Sequence, residues 1–272
     1  MREQYIYKVQ KWVRSILPFY LFTFLPLIVA CDHIAEGDEL IRVKQEPAQR
    51  VVLLEDFTGQ RCINCPLGAE VIEQLQEVYG DTVVVVGIHS GPLGFKGNAK
   101  NVGLATDIGD EYYNHWNLEY QPVGLINRHG VVNYTDWAKA VKEELAKTAA
   151  IDLKASAVLK DGSIDIALEV VGKDNTVSGK LQIWVLEDGI TAMQLMPDGS
   201  TNREYVHNHV FRTAVNGTWG EDFTINEGET KKLTHKQVVD PTWNTTNLSI
   251  VAFVYNDNGV EQAVKAGVIS DK

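Results

Sequence analysis

Apolar residues change their spacing along the chain, and each change predicts a different kind of element. Residues 16–30 are almost continuously apolar. Residues 50–57 and 82–89 form two shorter apolar runs, typical of buried parallel strands, and residues 65–79 between them carry apolar side chains at helical spacing. The pattern predicts a β-α-β unit with a right-handed crossover.

Mixed helical and strand patterns continue to residue 147, with a helix predicted over 110–118, strands over 123–127 and 131–133, and a final helix over 135–147. From residue 151 onwards apolar and polar residues alternate in short segments separated by turn residues. Such segments are typical of antiparallel strands. We therefore expect an α/β domain followed by an all-β immunoglobulin-like sandwich domain, with the boundary near residue 150.

The first apolar run predicts a secretory signal, because four basic residues precede it: Arg2, Lys8, Lys11 and Arg14. The run is shorter than the ~20 apolar residues of a membrane-spanning helix, and Pro18 and Pro26 interrupt it. It ends in Ile28-Val29-Ala30-Cys31, which resembles the bacterial lipobox. That resemblance implies that Cys31 is lipidated and becomes the mature N-terminus. The alternative is a signal cleaved elsewhere, with Cys31 uninvolved.

The predicted organisation has four segments: a lipoprotein signal peptide at 1–31, a tether at 32–48, an α/β domain at 49–149 and a β-sandwich domain at 150–272. The net charge of −11 and the pI of about 5.1 argue against a nucleic-acid partner, which would require clustered basic residues. The three cysteines are too few for a disulfide-dense scaffold. Lipidation of Cys31 would leave Cys62 and Cys65 as the remaining pair.

Cys62 and Cys65 form a C-x-x-C motif between a predicted strand and a predicted helix. The positive end of the helix dipole stabilises a thiolate at this position, so the motif favours a nucleophilic Cys62. Pro66 suits the first helical turn, where its missing N–H is not needed. This chemistry requires that Cys62 be reachable by a partner.

The segment 50–148 resembles thioredoxin-fold oxidoreductases. Asp56-Phe57 stands where that family places a buried proton-accepting Asp, and Gln121-Pro122 stands at its cis-proline. The resemblance implies a thioredoxin-like fold in which Cys62 attacks a partner disulfide, Cys65 resolves the mixed disulfide and Asp56 takes the proton of Cys65. Gln121 and Pro122 would then contact the substrate chain.

Arg61, which occupies the place of the usual Trp in that family, is assigned to the same substrate-binding surface, and Ile63-Asn64 replaces the usual Gly-Pro. The assigned chemistry requires neither a cofactor nor a metal. The predicted partners are protein thiols or disulfides of the cell envelope, together with the membrane through the lipid at Cys31.

The complete arrangement resembles the Omp28-related outer-membrane lipoproteins of Gram-negative bacteria. The resemblance rests on the lipobox, on the T-G-x-R-C-x-N-C-P motif at residues 58–66 and on a β-rich tail containing residues 206–212. It implies a lipid-anchored protein of the outer membrane that faces the periplasm or the cell surface.

Other interpretations stay open. The cysteine pair could be a static disulfide on a lipoprotein that binds proteins or glycans, because a fold alone does not fix a function. A zinc site would need further ligands, for which His89 and His129 are candidates. His207 and His209, two apart on a predicted strand, could chelate a metal together.

Overall fold

The computed structural model describes residues 46–271 and is dominated by β-strands. Three α-helices are present in this part of the chain: α1 (Cys65–Tyr79), α2 (Asp107–His115) and α3 (Trp137–Leu145). The predicted signal peptide, the lipobox Cys31 and nearly all of the predicted tether lie outside the described residues. Within residues 46–271, no helix combines the length and the apolar composition needed to cross a membrane.

Sixteen strands are observed in residues 46–271: β1 (Ala48–Gln49), β2 (Val52–Thr58), β3 (Val83–His89), β4 (Val123–Ile126), β5 (Val131–Asn133), β6 (Thr148–Ala149), β7 (Ile151–Lys160), β8 (Ser163–Gly172), β9 (Val177–Glu187), β10 (Ile190–Leu195), β11 (Thr201–His207), β12 (Val210–Ala214), β13 (Glu221–Ile225), β14 (Thr230–Val238), β15 (Leu248–Asn256) and β16 (Gly259–Ser270). Short 3-10 turns follow α1, precede α3 and precede β15.

Local sequence explains the first elements. All seven residues of β2 and of β3 are buried, and the two strands pair in parallel from Val52↔Val83 onwards. The helix α1 connects them and buries Ile72 and Leu75 against the sheet. It stops at Gly80, whose φ of 54° is a backbone conformation that favours glycine.

The helix α2 begins three residues earlier than the apolar spacing predicts. The Thr106 hydroxyl accepts a hydrogen bond from the Gly109 N–H at 2.9 Å and so caps the first turn. Because a threonine cap satisfies one of the free N–H groups at a helix start, the helix begins at the cap and not at the first apolar residue.

One large mixed sheet joins the two halves of the chain. It has twelve strands in the order β14-β8-β7-β16-β15-β9-β12-β3-β2-β4-β5, with β13 attached to β9. The junction lies between β3 and β12, which pair in parallel at Val210↔Gly87. The Gly87 N–H donates to the His209 carbonyl at 2.8 Å. The sheet is therefore continuous across residue 150.

The predicted fold class, a thioredoxin-like α/β domain followed by an all-β immunoglobulin-like sandwich, is wrong. Strands predominate, helices are few, and strands from before and after residue 150 share one mixed sheet. The physical reason is that β3 has a neighbour on each side: β2 from its own half of the chain and β12 from the other. The domain boundary near residue 150 stays a prediction, although the described residues 46–271 lie within one compact unit.

Of the two largest cores, one joins the halves of the chain and the other lies within the second half. One core contains Leu53, Val86 and Tyr112 from the first half together with Trp184, Phe211 and Phe253 from the second. A second core lies within the second half, between β7 and β8 on one side and β9 and β15 on the other. The long β16 connects these layers, since it pairs antiparallel with β15 and then parallel with β7.

Candidate functional site

The C-x-x-C loop connects β2 to α1, and Cys65 is the first residue of the helix. Cys62 and Cys65 form a disulfide with their Cα atoms 5.3 Å apart. Pro66 stands in the first helical turn, as the sequence predicts. Cys65 therefore lies at the positive end of the α1 dipole, which would stabilise a thiolate released from it.

Both cysteines are buried. Cys62 is 2% exposed and Cys65 is 4% exposed, whereas the intervening Ile63 is 46% exposed. The proposed nucleophile is therefore closed to a partner in this conformation. This differs from the expectation of a reachable Cys62, because segments distant in sequence cover the loop.

Two buried glutamines, Gln60 and Gln194, hydrogen-bond the C-x-x-C loop to the segments that cover it. The Gln194 side-chain amide in β10 donates to the carbonyls of Cys62 at 2.8 Å and Gly59 at 3.3 Å. The Gln60 amide in turn donates to the carbonyls of Val102 and Met193, at 3.1 Å each. The hairpin β10–β11 and the segment 90–104 thus form a cover over the cysteines, which we call the disulfide cover.

Gly59 allows the backbone of the disulfide cover to pack closely against the C-x-x-C loop. A Cβ atom at Gly59 would lie 2.3 Å from the Leu93 carbonyl oxygen, which is too close for any side chain. The Arg61 N–H donates to that same carbonyl at 3.0 Å. The Arg61 guanidinium lies over the Phe95 ring, 4.8 Å from its centroid, and Arg61 is exposed at the edge of the cover.

Asp56 lies in β2 and lines the same cavity as Cys65. The carboxyl is buried, and its Oδ1 has no hydrogen-bond partner among the described residues. Burial raises the pKa of Asp56 to about 8. The side chain is therefore an uncharged acid at neutral pH, in the cavity that Cys65 also lines.

The peptide bond Gln121–Pro122 is cis, and Pro122 packs on the first turns of α1. A Cβ at Gly68 would lie 3.2 Å from the Pro122 Cβ, so this glycine allows the contact. The Gln121 amide donates to the carbonyls of Thr58 at 2.7 Å and Ser90 at 3.0 Å. Gln121 therefore joins the ends of β2 and β3, and its predicted role in substrate binding stays a prediction.

Two histidines complete the cavity, which has a volume of about 100 Å³ and lies between α1 and β11. His89 ends β3 and His207 ends β11, with their ring centroids 5.1 Å apart. Burial lowers the pKa of His207 to about 4, and burial together with the neighbouring His207 and Arg212 lowers the pKa of His89 well below 6.5. Both rings are therefore neutral near pH 7.

The two histidines also leave hydrogen-bonding capacity unused. Neither His89 Nδ1 nor His207 Nε2 finds a partner within residues 46–271. A cavity of this size and polarity has room for water, which would bridge these nitrogens and Asp56.

The metal interpretations find no support in the geometry. His209 follows the end of β11, where its φ is 57°, and its ring Nδ1 lies 3.1 Å from the Asp188 carboxylate. It therefore does not share a strand face with His207. His129 lies 3.3 Å from Glu144, and within the described residues no group of three or more possible ligands could hold a metal ion.

Sequence reasoning missed Gln194 and did not place His207 beside Asp56. Gln194 lies 132 residues from Cys62 and stands in an ordinary strand pattern, so no local signal distinguishes it. His207 was visible only as half of the pair with His209. The pairing of β12 with β3 brings the end of β11, and with it His207, close to His89 at the end of β3.

Several solved structures superpose on this chain. HBP35 of Porphyromonas gingivalis superposes with a TM-score of 0.63 at 14% identity, covering 81% of this chain and 76% of that one. A structural-genomics protein of Agrobacterium tumefaciens superposes with a TM-score of 0.50 at 14% identity, covering 81% and 95%. At such identities the likeness concerns the fold alone.

A domain of the outer membrane lipoprotein Omp28 from Porphyromonas gingivalis is 26% identical, with a TM-score of 0.35, and covers 46% of this chain and all of that domain. No curated protein matches the sequence. The family model described as outer membrane protein Omp28 matches residues 109–272, which is more than half of the chain. The chain therefore belongs to the Omp28 family of outer membrane proteins, and its location is the outer membrane.

Proposed function

We propose that this outer-membrane lipoprotein exchanges thiols and disulfides with proteins of the cell envelope through Cys62 and Cys65. The observation that carries the proposal is the position of Cys65, at the N-terminus of α1 and in one cavity with an uncharged Asp56 whose Oδ1 has no partner among the described residues. A buried carboxyl with an unpaired oxygen costs stability, so its presence in the cavity lined by Cys65 favours a chemical role over a structural one.

The reaction balances with the protein's own groups. In the reduced form, the Cys62 thiolate attacks a partner disulfide, and one partner sulfur leaves as a thiolate. Asp56 is mostly protonated at neutral pH because its pKa is about 8, and its minor carboxylate form takes the proton of the Cys65 thiol. The Cys65 thiolate then attacks the Cys62 sulfur of the mixed disulfide, which releases the second partner thiolate. Two electrons pass to the partner, and the Cys62–Cys65 disulfide of the structure is the product.

Exchange requires that the disulfide cover open, because Cys62 is buried beneath it. The contacts that must break include the hydrogen bonds from Gln194 to the carbonyls of Cys62 and Gly59. Local opening of a hairpin demands less free energy than global unfolding. Ile63, exposed between the cysteines, would be the first residue that a partner meets.

Trapping in cells tests the proposal. In a Cys65→Ser variant the resolving thiol is missing, so we expect a mixed disulfide on Cys62 to accumulate and to be seen on non-reducing gels as adducts. The matched control is Cys62→Ser/Cys65→Ser, which should give no adducts. The purified wild type should show a reduction potential of about −270 to −180 mV, the range of dithiol oxidoreductases.

A second candidate is a lipoprotein that binds proteins or glycans and in which the disulfide is a static crosslink. The 2% exposure of Cys62 supports this candidate, because a buried sulfur does not meet a partner. In that case Cys65→Ser traps nothing, and a Cys62→Ser variant behaves as wild type in the cell. A potential far below −300 mV would support the same conclusion, since structural disulfides resist reduction.

A further inference from the structure

A cleft distant in sequence from the cysteine motif is lined by aromatic side chains. Its walls are Trp116, Trp219 and Tyr255, and Arg128 lies among them. It has a volume of about 880 Å³, within the range of small-molecule binding sites. We call it the aromatic cleft. It shares none of its lining residues with the cavity beside Cys65.

The aromatic walls are held in place before any ligand arrives. The Trp219 indole N–H donates to the Glu111 carboxylate at 2.9 Å, and the Tyr255 hydroxyl donates to the Trp219 carbonyl at 2.8 Å. The His115 ring lies 4.3 Å from the Trp219 ring, and the Tyr112 ring lies 5.1 Å away on another side. Fixed aromatic faces bind with little loss of conformational entropy.

Two donors of the aromatic cleft are unused. Trp116 Nε1 and Arg128 Nη1 are buried, and neither has a hydrogen-bond partner in the part of the chain that the structure describes. The other nitrogens that Arg128 directs at Glu55 are satisfied, with Nε at 3.0 Å and Nη2 at 2.9 Å from the carboxylate. Both nitrogens are covered in this conformation, so a ligand rich in oxygen would supply their acceptors once neighbouring side chains move aside.

The charges around the aromatic cleft argue against an anionic ligand. Lys180 is neutralised by Asp222 at 2.7 Å, and Arg128 is neutralised by Glu55. Asp257, exposed on the rim, adds a negative charge. Positive charge is therefore not in excess, and a neutral ligand fits better than a carboxylate or a phosphate.

We propose that the aromatic cleft binds a neutral saccharide. The C–H faces of a sugar ring are apolar and flat enough to stack on Trp219 and Tyr255, while its hydroxyl oxygens accept from the free donors. Hydroxyl hydrogens would be donated to the rim, where Asp257 and Asn258 offer acceptor oxygens. This site is independent of the proposed thiol–disulfide exchange, so either activity can fail without the other.

Titration of the full-length protein in detergent tests the proposal. Neutral oligosaccharides of glucose, galactose, mannose and N-acetylglucosamine are added separately, and binding is followed by tryptophan fluorescence and calorimetry. We expect at least one to bind with a dissociation constant at or below about 1 mM. An oligogalacturonate serves as the anionic probe and should bind more weakly.

Variants assign the binding to the aromatic cleft. Trp116→Phe keeps an aromatic ring but removes the indole donor, and we expect about tenfold weaker binding. Asp257→Ala/Asn258→Ala changes only exposed rim residues and should also weaken binding. Trp243→Phe, at a tryptophan that stacks with Arg212 outside the cleft, should bind as wild type.

Three results would overturn the inference: no neutral saccharide binds with a dissociation constant at or below about 1 mM; the anionic probe binds better than every neutral one; or both cleft variants bind as wild type. Because the rim variant does not touch the core, its result stands even where Trp116→Phe lowers stability.

Discussion

At the scale of single residues, the main feature is a group of three buried titratable side chains. Asp56, His89 and His207 line one cavity, and all three are held in their neutral forms by burial. Natural proteins remove such groups from their cores unless they have partners or a task. The raised pKa of Asp56 and the lowered pKa of His207 can be tested by measuring stability against pH, which requires no assay of function.

Asp56→Asn should change how stability depends on pH. Since the folded-state pKa of Asp56 is raised to about 8, its stabilising contribution is complete below pH ~4 and is lost as the pH rises through 8. The asparagine of the variant does not titrate, so the variant does not lose stability in this way as the pH rises. We therefore expect the variant to be more stable than wild type at pH 8, by roughly 5–10 °C in melting temperature, and to gain little at pH 4.

Thermal unfolding between pH 4 and pH 9, with the disulfide intact, measures this difference. Asp257→Asn, at an exposed carboxylate, is the matched control and should follow the wild-type curve. Equal melting curves for Asp56→Asn and wild type at pH 8 would show that Asp56 is charged or solvated in the folded protein.

At the scale of elements, the β10–β11 hairpin covers the disulfide, and we expect it to control how fast the disulfide reacts. Its Gln194 amide replaces solvent as the hydrogen-bond partner of the Cys62 carbonyl. The Leu195 N–H donates to the Gln60 carbonyl at 2.9 Å and adds a backbone contact to the same interface. In the described residues β10 and β11 pair only with each other, so opening the hairpin breaks no strand pairing of the twelve-stranded sheet.

Gln194→Ala should speed reduction of the disulfide. Loss of the two hydrogen bonds to the C-x-x-C loop favours the open cover, and we expect about tenfold or faster reduction by a small phosphine reductant. Gln237→Ala, on the edge strand β14, is the control and should leave the rate unchanged. The rate is followed by mass spectrometry after alkylation. An unchanged rate in Gln194→Ala would mean that the hairpin does not limit access.

At the scale of the whole molecule, the two halves of the chain share a sheet and a core. Leu53, Val86 and Tyr112 pack with Trp184 and Phe253, and all are buried. The Trp184 indole donates to the Tyr112 hydroxyl at 3.0 Å, which adds a specific polar contact inside this core. Separation of the halves would expose these apolar faces to water at about 25 cal/mol per Å².

A fragment of residues 46–149 should therefore fail to fold by itself. We expect it to show no cooperative thermal transition and to bind a hydrophobic dye, whereas residues 46–271 unfold cooperatively. Circular dichroism and dye fluorescence measure both. A fragment with a sharp transition would instead establish an independent domain with its boundary near residue 150.

The sequence by itself determined the local features of this protein. Apolar spacing placed β2, α1 and β3, and the C-x-x-C motif placed two cysteines at a helix start. The family motif and the lipobox indicated the outer membrane. These features could be predicted because spacing and capping act over a few neighbouring residues, which the sequence shows directly.

Only the tertiary structure decided which segments meet. The pairing of β3 with β12, the disulfide cover with Gln194, and the aromatic cleft each join residues separated by about 100 positions or more. Backbone hydrogen bonds between strands are the same for every side chain, so the pattern of one strand does not name its neighbour. Burial of the shared core selects that neighbour, and this selection placed β12 beside β3 and closed the cover over Cys62.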